Sequence, residues 1–442
     1  MGKSYKKPSS TEVKRLPTSH LMPGAGRVLL VSPSVESGAT ATQHDTSSLP
    51  THSNDVLHPV TCKEILKVLS GVQQEYLVYE GMSFSDYIYI KDHLESDRYQ
   101  KTWNRRVTKI SIARNQVTNF RLSFFPGSKH LMVSSPTTAH ESIISALMDS
   151  HCNMLATIPV PEDVLYFRTH TNSYLQEDSI CAVPDSTIMM WDNDSCEDIR
   201  IPQPIWLMES AFSQSDHDIM WKLHTYVRNV SDLLVIGKIH IKQAMPYHSP
   251  ASGGSAAKYL RSSELMTQAK WTSSYGKKGM FTQVVVDGHT WFSLSSVEIH
   301  IWVHQPGKSK IDLNCLDDRG YACGMIYPTV SLDDVDNAFC CSFELIKELT
   351  LCRLRAANVD QALLLDQVEN WSPPTGFMDQ DVFKRALVDS AWAMSYQRYH
   401  DWHVKQRRSS NTTPHRSQRS RTCASCSVGN ITPSNQPRRQ GD

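Results

Sequence analysis

The sequence predicts an α/β protein whose core runs helix, three strands, helix, strand between residues 135 and 305. Three observations predict it. "SPTTAHESIISALMDSH" carries apolar residues at helical spacing behind Thr138, with Glu141 three residues on. Three β-rich runs follow in succession: "VLYFRTHTNSYL", "CAVPDSTIMMW" and "PIWLMESAF". Then "SDHDIMWKLHTYVRN" returns to helical spacing behind Ser215 and Asp218, and "DLLVIGKIHIK" alternates as a strand with Val235, Ile239 and Ile241 on one face.

The flanks follow from the same rules. Residues 1–55 read as a disordered tail: ten Ser or Thr and no aromatic residue lie between Ser32 and Asn54. Residues 56–134 read as a small α+β region. Its helix is "VTCKEILKVLSG", with Thr61 and Glu64 in capping-box spacing. "EYLVYEGMSFSDYIYI" is β-rich in composition, and "KISIARNQVTNFRLSFF" reads as a hairpin around Asn115. "DNDSCED" is the polar connection between the second and third core strands. Within the core, a Gly/Ser/Ala loop (249–257) precedes "FTQVVVDGHTWFSL", a hairpin turning at Asp287-Gly288, and "VEIHIWVH", an alternating strand. Residues 306–404 read as mainly helical, over about 333–356 and 379–405. Residues 405–442 read as a disordered basic tail. Between Trp402 and Gly441 there are eight Lys or Arg and no acid.

Composition excludes several classes. The 442 residues carry 45 Lys plus Arg and 45 Asp plus Glu, so no global charge points to nucleic acid or to a membrane. No apolar run approaches the roughly 18 residues of a membrane span, and no signal-peptide h-region opens the chain. Eleven dispersed cysteines fit reduced thiols in an intracellular protein, nuclear or cytoplasmic.

Two carboxylates stand inside apolar β-segments. Asp185 follows Pro184 in the second core strand, and Glu209 sits in the third. An ionised carboxylate among apolar neighbours costs several kcal/mol unless it is paired or binds a metal. Two such acids on adjacent strands can share one hard cation, which takes oxygen ligands and retains several waters. Blander readings also fit. Asp185 suits a strand edge or bulge behind a proline. Glu209 suits a cross-strand partner for Lys238, and Lys222 suits a solvated helix face.

The Pro-Asp pair, the "PIWLMESAFSQSDHDIMWKLHTYV" segment and the strand after it resemble the PD-(D/E)XK nuclease superfamily, which has the restriction-endonuclease-like fold. The resemblance is to its Uma2-like branch and to PD-(D/E)XK-like domains of fungal genomes, and it covers about 135–305. It implies a Mg²⁺- or Mn²⁺-dependent nuclease acting on DNA. Asp185, Glu209 and the backbone carbonyl of Ser210 would be metal ligands, with Glu141 a further acid. Such a metal lowers the pKa of a bound water and neutralises charge developing on a phosphate. The superfamily lysine belongs two residues after the second acid, where this chain has Ala211. Variant members carry it on the following helix, which implies Lys222 as the catalytic lysine, with Lys238 the other candidate. The missing strand lysine keeps open a catalytically inactive nuclease-fold module for interaction or nucleic-acid binding.

Other motifs carry less. "PGKSK" lacks the first glycine of a phosphate loop, since Trp302 stands there. "CASC" (Cys423, Cys426) has no second ligand pair for zinc. Glu298, His300 and His304 share one face of an alternating strand, as an exposed sheet face would present them. Cys340-Cys341 on a helix suggests buried thiols, and no G-x-S-x-G nucleophile elbow is present.

Overall fold

Alternation and spacing decide where the chain turns from strand to helix. The structure is a computed structural model describing residues 56–71, 76–96, 120–162, 164–177, 180–192, 202–212, 214–275, 283–316, 319–356 and 362–411. Helices are α1 (Pro59–Gly71), α2 (Phe84–Glu95), α3 (Thr138–Leu155), α4 (Asp216–Asn229), α5 (Ser255–Ser262), α6 (Gln268–Tyr275), α7 (Asp333–Ala356), α8 (Ala362–Asn370) and α9 (Gln380–Asn411). Strands are β1 (Tyr76–Tyr79), β2 (Arg121–Phe125), β3 (His130–Ser134), β4 (Leu165–His170), β5 (Leu175–Glu177), β6 (Ile180–Ala182), β7 (Ser186–Asp192), β8 (Gln203–Ala211), β9 (Val235–Gln243), β10 (Val284–Val286), β11 (His289–Phe292), β12 (Leu294–Val303) and β13 (Tyr321–Tyr327). The class is mixed α/β. No described helix is long and apolar enough to cross a membrane.

The main sheet has six strands in the order β13-β12-β9-β8-β7-β4. β8 and β9 run parallel, joined through α4, and the other neighbours are antiparallel. β8 shows the logic of the sheet. Trp206 and Met208 enter the core with α3, α7 and α9, while Leu207 enters a second core with Leu223 and Tyr226 of α4. Glu209 continues the Leu207 face by the two-residue period. Gly237 of β9 is required where it stands. A Cβ there would lie 2.4 Å from Met208 Sδ, 2.7 Å from Ile301 Cδ1 and 2.8 Å from His300 O.

A second sheet, β1-β3-β2-β6-β5, is antiparallel throughout. Leu122, Phe124, Leu131 and Val133 pack beneath α1 and α2 with Ile65 and Tyr87. Phe125, Met132 and Ile180 pack toward α4. Helix α4 therefore contributes to the apolar layer between the two sheets.

Several expectations change. "CAVPDSTIMMW" is two strands in two sheets, β6 and β7, and Val183, Pro184 and Asp185 make the crossing. A proline cannot donate to a ladder, so the run divides where it occurs. "FSDYIYI" is helical: Ser83 Oγ accepts from the Asp86 N–H at 3.0 Å, and Asp86 accepts from the Ser83 N–H at 2.9 Å. That capping box outweighs the β-rich composition. α1 begins at Pro59, two residues before Thr61, with proline in the first turn. The cap of α3 is Thr137 rather than Thr138. β2 forms its hairpin with β3, and the hairpin around Asn115 lies outside the described residues. So do residues 1–55, most of "DNDSCED" and the "CASC" pair. β5, α5, α6, β13 and α8 were not foreseen, and α5 begins at Ser255, inside the expected 249–257 loop. Cys340 is half-buried and Cys341 exposed, not a buried pair. α9 continues to Asn411, beyond the expected end at 405, and residues after it lie outside those described.

Candidate active site

Asp185 is set at the start of β7 by the crossing between sheets. Ser186 pairs with Met208 across β7 and β8, which sets Asp185 beside Glu209. Lys222 comes from the second turn of α4, whose start is fixed by Ser215 Oγ accepting from the Asp218 N–H at 3.1 Å. All three line one cleft that is partly open to solvent, together with Ser210 and His140.

Glu209 is 1% exposed. Its Oε1 faces Lys222 Nζ at 2.7 Å and accepts from the Tyr226 hydroxyl at 2.8 Å. Tyr226 lies one helical turn beyond Lys222, and the Lys222 ammonium is 5.8 Å from the centre of its ring. Burial pushes the Glu209 carboxyl up to about 7. Lys222 pulls against that rise, and the neighbouring Asp185 charge adds to it.

Asp185, 3% exposed, is held differently. Its Oδ1 takes a guanidinium N–H of Arg121. Its Oδ2 lies 2.8 Å from His140 Nε2 and accepts the Ser210 backbone N–H at 2.6 Å. Burial raises the Asp185 pKa, but His140 and Arg121 outweigh it and hold the carboxyl well below the usual range. The pull is mutual: burial opposes a charge on His140, yet Asp185 brings its pKa up to about 9, so the imidazole is cationic at neutral pH.

The remaining expected residues separate. Glu141 is present: Arg121 Nη2 lies 2.6 Å from its Oε1 and His140 Nδ1 lies 3.3 Å from the same oxygen. Ser210 meets Asp185 through its N–H, not the carbonyl expected as a ligand, and its buried Oγ has no partner. Lys238 is absent from the cleft lining. Its ammonium lies 2.5 Å from Asp216 Oδ1, so it is not the partner of Glu209 despite their register pairing.

The cluster is three cations, Arg121, His140 and Lys222, against three carboxyls, Asp185, Glu141 and Glu209. Sequence reasoning missed Arg121, His140 and Tyr226. An arginine inside the apolar run "FRLSFF" and a tyrosine four residues after Lys222 were the available signals. As the side chains stand, the residues do not fit a divalent cation. Three donors leave Asp185 about one lone-pair direction, against the several oxygen ligands such an ion takes. Among the described residues no group of three or more His, Cys, Asp or Glu is arranged to hold a metal ion. No family model, no curated protein and no solved structure matches this chain.

Proposed function

We propose that the chain carries a PD-(D/E)XK-like domain of restriction-endonuclease-like topology whose acid pair is neutralised from within, a domain that binds nucleic acid without metal-dependent hydrolysis. The observation carrying this reading is the saturation of Asp185 by Arg121, His140 and the Ser210 N–H. The main-sheet elements α3, β4, β7, β8, α4 and β9, with β5 and β6 of the other sheet inserted between β4 and β7, support the fold, with Asp185 and Glu209 beside each other at the β7–β8 pairing. The eight Lys or Arg between Trp402 and Gly441 support the partner, because each phosphate neutralised releases counterions and strengthens binding at low salt.

Two measurements test it. Wild-type protein incubated with DNA or RNA in Mg²⁺ or Mn²⁺ should leave both intact. Metal-dependent cleavage that disappears in Asp185→Asn overturns the reading. Deleting 412–442, past the end of α9, should weaken DNA binding several-fold at low salt and flatten the log–log salt slope. An unchanged slope removes that segment from the interface. A second reading, an active nuclease, is favoured by Lys222, which reaches Glu209 from α4 where Ala211 leaves the strand without a lysine. That reading requires cleavage by the wild type and its loss in Lys222→Met.

A further inference from the structure

The cation on Asp185 comes from another sheet. Arg121 opens β2, and alternation separates it from Leu122 and Phe124, which face α1 and α2. It shares instead the side of Phe125, which packs with α4. Its side chain is 4% exposed. The two terminal nitrogens of its guanidinium meet acids from separate elements: Nη1 meets Asp185 Oδ1, and Nη2 meets Glu141 Oε1. Its Nε donates to Asn172 Oδ1. Two carboxylate oxygens, from the β6–β7 crossing and from the first turn of α3, thus converge on one planar cation.

We propose that Arg121 is a built-in counter-ion that keeps this acid cluster closed to metal, and that its removal opens a site for a hard divalent cation between Asp185 and Glu141. The inference rests on the reading above that the acids are neutralised from within. A guanidinium occupies the lone-pair directions a cation would use, in fixed fork geometry. Without it, Asp185 Oδ1 and Glu141 Oε1 face the same vacated space. Two oxygen ligands facing one space, one of them on the half-exposed Glu141, leave the other positions of Mg²⁺ or Mn²⁺ to waters entering from that side. His140 stays on Asp185 Oδ2 and orients the carboxylate. Because Arg121 belongs to the N-terminal sheet, the state of the acid cluster depends on how that sheet is seated.

The test is Mn²⁺ titration of the full chain by calorimetry, on the wild type, on Arg121→Met and on Arg121→Met/Asp185→Asn. Expected are no saturable binding by the wild type, one Mn²⁺ bound saturably by Arg121→Met, and none by the double variant. A folded Arg121→Met that binds no better than a silent wild type overturns the inference and leaves the internally neutralised reading standing. A wild type that binds as tightly as Arg121→Met overturns both. A wild type that binds weakly, with a tenfold gain in the variant, upholds the counter-ion and overturns the proposed function. If Arg121→Met folds only when Mn²⁺ is supplied, the metal has replaced the guanidinium and the inference holds. If Mn²⁺ does not rescue it and Arg121→Gln, folded, shows no gain, the inference fails.

Discussion

Replacing His151 with phenylalanine should remove much of the acid sensitivity of the main core. His151 lies on α3, 0% exposed, and neither ring nitrogen has a hydrogen-bond partner. Its ring centre is 4.5 Å from that of Trp206 and 5.3 Å from that of Phe377, with Phe339 at 5.8 Å. Burial alone depresses its pKa from 6.5 to about 3. The folded state therefore refuses a proton that the unfolded chain accepts. The contribution is fully present above pH 6.5 and is lost as pH falls toward 3. At about 1.4 kcal/mol per unit, the loss is about 2 kcal/mol at pH 5 and about 4 kcal/mol by pH 3. At pH 7 the substitution itself changes little. Relief of two desolvated nitrogens, about 1–3 kcal/mol, is set against a larger ring that costs a similar amount. Other titrating groups are common to both proteins and cancel in the difference. Urea denaturation at pH 7 and pH 5 should show the variant gaining about 2 kcal/mol on the wild type between the two. A stability difference that is the same at both values would refute the argument, and a partner for the ring would have to exist.

Gly237→Ala should destabilise by several kcal/mol and lower Tm, because its Cβ meets a strand carbonyl as well as Met208 and Ile301; an unchanged Tm would show that β9 and β12 can part. Lys222→Met should cost about 1.4 kcal/mol more at pH 8 than at pH 5, because the wild-type Glu209 ionises beside the ammonium above pH 7 while the unpaired, buried carboxyl of the variant keeps its proton. An equal cost at both pH values would mean that Glu209 does not titrate between them. Lys238→Met should cost only about 1 kcal/mol or less, since its partner Asp216 is more than half exposed; thermal melts of the two lysine variants side by side rank them.

Much of the main sheet was legible because its signals are local. The Asp287-Gly288 turn is one case, with both residues at positive φ joining β10 to β11. Ser215 capping α4 is another. α7 begins and ends where its apolar spacing does, at Asp333 and Ala356. The failures share a cause. Whether Ile180–Ala182 and Ser186–Asp192 belong to one sheet or two is decided by a partner far along the chain, Phe124 for β6, while β7 pairs with the next strand, β8. Nothing within "CAVPDSTIMMW" records that choice except the proline. α2 was legible in principle, since Ser83 and Asp86 have capping-box spacing, but aromatic and β-branched residues obscured it.

At the site, local pattern located the acids but not what answers their charge. A carboxylate inside a strand must be compensated, and the requirement is the same whether a metal, a lysine or a guanidinium does it. Lys222 was reached through the resemblance, which puts a lysine on the helix after the second acid; its own spacing suited a solvated helix face equally well. Arg121 lies 64 positions from Asp185, on a strand of the other sheet, and no spacing rule connects them. The distinction has energetic consequences. A buried network of hydrogen-bonded charges adds little net stability as a whole, yet losing one member costs several kcal/mol, because an opposite charge is left buried without a partner. With three cations matched to three carboxyls, the cluster tolerates exchange of one cation for another more readily than loss of one. On the proposed reading, an arginine and a divalent ion are alternatives at the same acids, and Arg121 is what keeps the cluster from taking the ion.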